Sequence, residues 1–249
     1  MVKYPNVTLL LQGPVNNQNC LEFLTKLEEY SGLFGEIILS TYTEQIHLLP
    51  ELANVKVVTC SNAPVNIVND CNIYYQSLTT YNGLLHSTGK YTLKHRTDER
   101  YSNIHLMVDK FLLSDDKLLS TLTFIKPKEY PFLISDHLFI AKTEKLKSVF
   151  ATTLANLFLG IGDRATNGKV GPELTYCQNF IRYHNDIADP AINVQLMRKH
   201  FEVISEQLLE PFTIRFNGHD NGPMTVWLYE FMPWWMTVLG AKNIENVWE

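Results

Sequence analysis

The chain reads as an α/β protein: a single Rossmann-like domain with a central, mostly parallel sheet flanked by helices. Three observations lead there. Short apolar runs ending in turn residues alternate with helical stripes, in the order strand, helix, strand, short helix, strand, helix, strand through residue 96. That alternation predicts a parallel sheet covered by helices. The first run is continuous in its hydrophobicity, as a strand buried on both faces requires. No repeat, low-complexity segment or linker divides the 249 residues, a normal length for one α/β domain.

Taken in order, "VTLLLQG" (7–13) is the first strand, ended by Gly13-Pro14. "NQNCLEFLTKLEEYSGLFG" places Leu21, Leu24, Leu27 and Tyr30 three apart, one helical stripe that stops at Gly32 or Gly35. "EIILSTY" (36–42) is the second strand, "TEQIHLLPEL" a helical turn, and "VKVVTC" (55–60) the third strand. From Asp70 to Thr88, the residues Ile73, Tyr74, Ser77, Leu78, Tyr81, Leu84 and Leu85 recur at helical spacing, and Gly89 closes the helix. "YTLKHR" (91–96) is the fourth strand. Right-handed crossovers then bring the strand C-termini to one edge.

Past Arg100, "NIHLMVDKFLLSD" is helical, "LLSTLTFI" and "FLISDHLFIAK" read as strands, and "TEKLKSVFATTLANLF" as a helix. "GIGDRATNGKVGP" is a loop of thirteen residues with four glycines, long enough to serve as a lid over a site. "PELTYCQNFIRYH" is a helix opened by Pro172, with Glu173 in its first turn.

Composition narrows the function. Hydrophobic residues make up 45% and charged ones 19%, ample for a core. The net charge of −5, from 21 basic and 26 acidic residues, argues against a nucleic-acid partner, which would meet a basic field. Cys20, Cys60, Cys71 and Cys177 form no C-x-x-C pair, so they read as reduced, cytoplasmic thiols rather than a zinc knuckle or disulfide framework. The opening residues read as a strand rather than a signal peptide, and Asn6-Val7-Thr8, though a glycosylation triplet, lies inside that strand. "VWLYEFMPWWMTVLGA" carries Glu230 and Pro233 and falls short of the roughly 20 residues that span a bilayer. It is core or a closing helix on one reading. On the other it makes a peripheral membrane contact through Trp227, Trp234 and Trp235.

Several chemistries lack their motifs. There is no G-x-x-x-x-G-K-[ST], and Gln12-Gly13-Pro14 cannot cradle a pyrophosphate as a glycine-rich loop does, because Pro14 has no N–H. A G-x-S-x-G elbow and an H-E-x-x-H pair are also missing. His137 and His219 sit at strand-end or loop positions, where a hydrogen-bonded loop histidine is commoner than a ligand.

The charge cluster Lys94, His95, Arg96, Asp98, Glu99 and Arg100 lies directly behind the fourth strand. Ligands of open α/β sheets bind outside the carboxyl ends of the strands, so a phosphate-bearing ligand would arrive there. Arg96, Lys94 and Arg100 suit phosphates, and Asp98 suits a hard divalent cation. The plainer reading is a solvated strand end with internal ion pairs.

"LLLQGPV", "IILSTY", "NIYYQSLTTYNGL", "YTLKHRTDER" and "FLISDHLFIAKTEKL", in that order, resemble the WavE family of lipopolysaccharide-synthesis proteins, which is similar to A-type glycosyltransferases. The resemblance covers about residues 5–180. It implies transfer of a sugar from a nucleotide-sugar donor to a glycan acceptor, in the cytoplasm or at the inner face of the membrane. Residues 1–100 would form the nucleotide-binding half and 101–249 the acceptor half. It further implies that Gln12, Gly13 and Pro14 line the base and ribose, with Thr41 and Tyr42 beside them, and that Gln76 and Asn82 face the donor. Asp98 aligns with the last Asp of the family's Asp-x-Asp motif, whose first position here is Arg96. A divalent metal, Mn²⁺ or Mg²⁺, would then sit on Asp98 with His219 completing its shell; otherwise Arg96 and Lys94 would stabilise the leaving diphosphate. An inverting reaction needs a base, for which Asp136 and Glu173 are the choices; Asp136 is favoured, read as ending a strand at the same edge, while Glu173 reads equally as a carboxylate on the helix dipole. Two other readings stand beside this one: a sugar nucleotidyltransferase, and a non-catalytic carbohydrate-binding or scaffold protein on a degenerate glycosyltransferase fold.

Overall fold

The structure is a computed structural model, and it describes residues 2–16, 18–61, 72–114, 116–121, 134–161, 171–204, 206–209 and 211–213. Residues 162–170, which the sequence reading takes for most of a lid loop, His219 and the C-terminal aromatic segment lie outside these residues.

The elements run β1 (Tyr4–Gln12), α1 (Gln18–Leu24), α2 (Glu28–Ser31), β2 (Phe34–Tyr42), a 3₁₀ turn at Thr43–Leu48, β3 (Lys56–Cys60), α3 (Ile73–Leu85), β4 (Tyr91–Arg96) and β5 (Glu99–Tyr101). They continue with α4 (Ile104–Leu112), β6 (Leu118–Thr121), β7 (Leu138–Lys142), α5 (Thr143–Phe158), α6 (Pro172–Tyr183), α7 (Asn193–His200), β8 (Phe201–Ile204), α8 (Glu206–Leu209) and β9 (Pro211–Thr213). A seven-stranded sheet takes the order β3-β2-β1-β4-β7-β6-β8. β3, β2, β1 and β4 are parallel neighbours, β7 runs antiparallel to both β4 and β6, and β6 pairs in parallel with β8. The fold class is therefore α/β with a mixed, mostly parallel sheet. β5 and β9 make a separate two-stranded ribbon.

Alternation along β4 sorts its side chains between two layers, as the two-residue period of a strand demands. Tyr91 packs edge-on against Phe111 of α4, and His95 stacks on Phe23 of α1 at 5.9 Å. Thr92 turns the other way to Thr143 of α5, and Lys94 lies over the Phe139 ring on β7. The helix α3 covers β1 and β2 closely enough that a Cβ on Gly83 would meet Leu10 Cδ1 at 2.2 Å. A side chain there would force Leu10 or the helix itself to shift.

Two sequence expectations need correction. The single stripe from Leu21 to Tyr30 is two helices, because residues 26 and 27 bond to the carbonyls three back, Lys26 N–H to Phe23 and Leu27 N–H to Leu24. A spacing of three fits the three-residue turn of a 3₁₀ segment better than 3.6, and it keeps Leu24, Leu27 and Tyr30 buried. Among its described residues, the run "FLISDHLFIAK" enters the sheet at Leu138. Before it, the Asp136 carbonyl accepts from Lys94 Nζ and the Ser135 carbonyl from Ser120 Oγ, so side chains take the bonds a ladder would use.

Candidate active-site cleft

The strand order places β2 and β3 on one side of β1 and β4 on the other, so the chain reverses its direction of winding between β1 and β4. A crevice opens at such a switch point. Here it is a cleft of about 620 Å³, whose walls include Gln12, Gly13 and Pro14 from the end of β1 and Arg96, Thr97 and Asp98 from the end of β4. The two strand ends are stapled together: Thr97 N–H donates to the Gln12 carbonyl at 3.0 Å and Thr97 Oγ1 to the Pro14 carbonyl at 2.7 Å. Gly13 has φ +127°, and an added Cβ would lie 2.8 Å from Thr97 Oγ1. Only glycine suits this turn, on conformation and on space.

Tyr42 and Gln45 extend one wall from the end of β2 and the turn after it, with Asn72, Tyr75 and Gln76 from the start of α3. Tyr42 and Tyr75 stand at right angles with ring centroids 6.3 Å apart. Gln45 accepts from Val15 N–H at 2.9 Å, fixing the loop after β1. Asp136, His137, Pro172 and Glu173 close the opposite side. Asp136 reaches the edge for a reason other than the one expected. It does not end a parallel strand; it precedes β7, whose antiparallel direction puts its beginning beside the ends of β1 and β4.

The ionisable groups form one network. Arg96 donates to both oxygens of Asp98, Nε to Oδ1 at 2.8 Å and Nη2 to Oδ2 at 2.7 Å. Its Nε also lies 3.8 Å from Glu99 Oε1 and its Nη1 3.8 Å from Asp136 Oδ2. His137 pairs through Nδ1 with Glu99 and faces Asp136 through Nε2 at 3.5 Å, while Tyr101 OH donates to Glu99 Oε2 at 2.9 Å. Gln76 donates to Asp136 and accepts from Tyr176 OH at 3.1 Å, which fixes the amide's orientation.

Burial opposes charge on Glu99, Asp136, His137 and Glu173, yet partners decide the outcome for the first three. Burial pushes Glu99 upward, but His137 and Arg96 outweigh it and hold the carboxyl well below its usual range. Asp136 is likewise held low against burial, by His137, Lys94, Arg96 and the Gln76 amide. Burial works against the His137 cation, and Glu99 and Asp136 raise it regardless. Glu173 goes the other way. Burial, reinforced by the negative charge of Asp136, lifts it to about 7, and its own backbone N–H does not compensate.

Several sequence-named residues stand elsewhere, among them Arg100, which lies in β5 and does not line the cleft. Lys94 is fully buried behind the cleft wall, and burial lowers its ammonium to about 8. Asn82 donates to the Thr59 carbonyl at 3.0 Å, tying α3 to β3, and Thr41 is fully buried with Oγ1 3.5 Å from Gln45. His95, within the charge cluster, belongs to the core, its imidazole lowered to about 4 by burial between Phe23 and Tyr101. Sequence reasoning gave no role to Tyr75, Gln45 or Asn72, and treated His137 as an ordinary loop residue. The pairing of His137 with Glu99 depends on the antiparallel return of β7, which no local pattern announces.

The divalent metal implied by the family resemblance does not fit the described residues. Both Asp98 oxygens are taken by Arg96, Glu99 is taken by His137 and Tyr101, and among the described residues no group of three His, Cys, Asp or Glu is arranged to hold an ion.

No protein-family model and no curated protein matches the chain. Among solved structures it is similar to the apo form of the glycosyltransferase GlyE from Streptococcus pneumoniae, at 12% identity and TM-score 0.46, over 84% of this chain but only 46% of that one. It is similar to glucosyl-3-phosphoglycerate synthase from Mycobacterium tuberculosis, solved with Mn²⁺, UDP and glucosyl-3-phosphoglycerate, at 13% identity and TM-score 0.47, over 94% of this chain and 79% of that one. It is also similar to 4-diphosphocytidyl-2C-methyl-D-erythritol synthase from Anaerococcus prevotii, at 12% identity and TM-score 0.43, over 82% and 89%. Likenesses this distant carry nothing about activity. Among the described residues, no helix is long and apolar enough to cross a membrane.

Proposed function

We propose that the cleft binds a nucleotide-sugar donor and transfers its sugar to a glycan acceptor, with inversion at the anomeric carbon. The observation that carries this reading is the pairing, in one switch-point cleft, of a guanidinium at the end of β4 with a carboxyl poised near neutrality at the start of α6. The first suits a leaving diphosphate, whose developing charge a fixed cation stabilises. The second suits the acceptor hydroxyl, because a general base works best with its pKa near the operating pH.

On this reading Gln12, Gly13, Pro14, Tyr42, Gln45 and Tyr75 receive the nucleoside, and Arg96, with His137 behind it, receives the diphosphate. Glu173 takes the acceptor proton. Asp136 is held ionised and bonded to Gln76, so it suits orientation of the network more than proton abstraction. No step is routed through a metal. Work on a surface polysaccharide, in the cytoplasm or at the inner face of the membrane, rests on the WavE resemblance alone.

Thermal unfolding with a panel of nucleoside diphosphates and nucleotide sugars tests the binding half of the proposal. A true donor at about 100 times its dissociation constant adds roughly 2.7 kcal/mol. One base should stabilise the protein well above the others. Equal indifference to every nucleotide would favour the carbohydrate-binding scaffold.

A further inference from the structure

We propose that Asp98 is a displaceable counter-ion on Arg96, occupying the place of the ligand's diphosphate, rather than a ligand for a metal. The inference rests on the transferase reading and says how the diphosphate enters.

Arg96 has three carboxylate neighbours, and they are not equivalent. Glu99 and Asp136 have side chains only 1% and 4% exposed, lie 3.8 Å away, and are fixed by His137 and Gln76. Asp98 is 19% exposed, sits in the turn between β4 and β5, and makes the only bidentate contact with Arg96 among the three. Its two oxygens meet the guanidinium as two oxygens of a phosphate would, since the same planar fork serves both anions. Both Arg96 and Asp98 face the cleft.

An incoming diphosphate can therefore replace Asp98 without disturbing the buried pairs. Glu99 and Asp136 keep the guanidinium aimed while Asp98 swings toward water. The closed pair lowers apparent affinity by the fraction of molecules in which the fork is occupied, and removing the competing charge restores it. The sign separates this account from a metal site. If Asp98 held a cation bridging the diphosphate, neutralising it would weaken binding; if it competes for Arg96, neutralising it strengthens binding.

The experiment is calorimetric titration of inorganic pyrophosphate, in excess EDTA, into the wild-type protein, Asp98→Asn and Arg96→Lys. Pyrophosphate needs neither the base pocket nor an acceptor. Asp98→Asn should bind about tenfold more tightly than wild type, a change of about 1.4 kcal/mol. Arg96→Lys keeps the charge but loses the fork, and should bind more weakly than either. Repeating the titrations with the preferred nucleoside diphosphate and Mn²⁺ separates the two proposals. If Asp98→Asn weakens binding or leaves it unchanged while wild-type protein still turns over a nucleotide sugar, the displacement account fails and the transferase reading stands. If no variant binds pyrophosphate or any nucleotide, both fail.

Discussion

Glu173→Gln is expected to reduce sugar transfer by about 10²–10⁴-fold, the contribution of a positioned general base, while leaving donor affinity within a few fold. The amide keeps the size and hydrogen-bonding reach of the side chain and removes only its ability to take a proton. The pH dependence carries the sharper test. Glu173 is raised to about 7, so it is protonated and idle as a base at pH 5.5 and ionised above neutrality. Wild-type kcat/KM should climb with pH through a midpoint near 7 and level off above it. In Glu173→Gln that limb should vanish, leaving a low and nearly flat profile. Asp136→Asn should not reproduce this loss of the limb, because Asp136 is held ionised well below that range. Its effect should fall on affinity and stability through Gln76, His137 and Arg96, and the limb should shift to lower pH, because the negative charge of Asp136 helps raise Glu173. An unchanged midpoint in Glu173→Gln would remove it as the base and assign the limb to another titrating group.

The second large effect is on stability. Glu99→Ala should destabilise the fold by about 3–5 kcal/mol, the cost of removing one partner from a buried ion pair. Glu99 is 1% exposed and lies among His137, Arg96 and the Tyr101 hydroxyl. Its removal takes the nearer of two carboxylates from a buried imidazolium and a hydrogen-bond acceptor from the Tyr101 hydroxyl. A small domain is stable by only about 5–15 kcal/mol in total, so the urea midpoint should drop sharply. Asp98→Asn, by contrast, should cost less than Glu99→Ala, because Asp98 is the most exposed of the three carboxylates around Arg96 and the amide oxygen still accepts from the guanidinium. Equal losses in the two variants would contradict the division between fixed and displaceable partners on which the diphosphate account depends.

Much of the architecture was legible because hydrophobic pattern governs it. β4 at Tyr91–Arg96, α5 at Thr143–Phe158 and α6 opening at Pro172 stand where spacing, β-forming residues and a proline at the first helical position indicate. Leu21 to Tyr30 misled, since a spacing of three satisfies both a helix and a 3₁₀ turn. The sense of β7 was hidden for a different reason. An antiparallel strand in the middle of a parallel sheet is buried on both faces and looks, residue by residue, like its neighbours.

For the site, strand ends were the useful guide. Gln12, Gly13, Pro14, Tyr42, Arg96 and Asp98 follow apolar strands and line the cleft. Alternation within β4 was enough in principle to divide Lys94 and Arg96 from His95. It could not say that Lys94 stops short of the cleft, because that depends on the Asp136 carbonyl arriving from a segment 42 residues away. The pairing of Glu99 with His137 and the rise of Glu173 above its usual range are long-range electrostatic facts, set by burial and by which carboxylates share a wall.

The most direct measurement is release of nucleoside diphosphate from a panel of nucleotide sugars, with a soluble glycan acceptor present and metal supplied or chelated in parallel. The account expects one donor to be consumed at a rate that persists in the chelator, that collapses in Arg96→Ala, and that falls with Glu173→Gln only in the acceptor-dependent portion. Consumption of no donor by folded protein under either condition would contradict it.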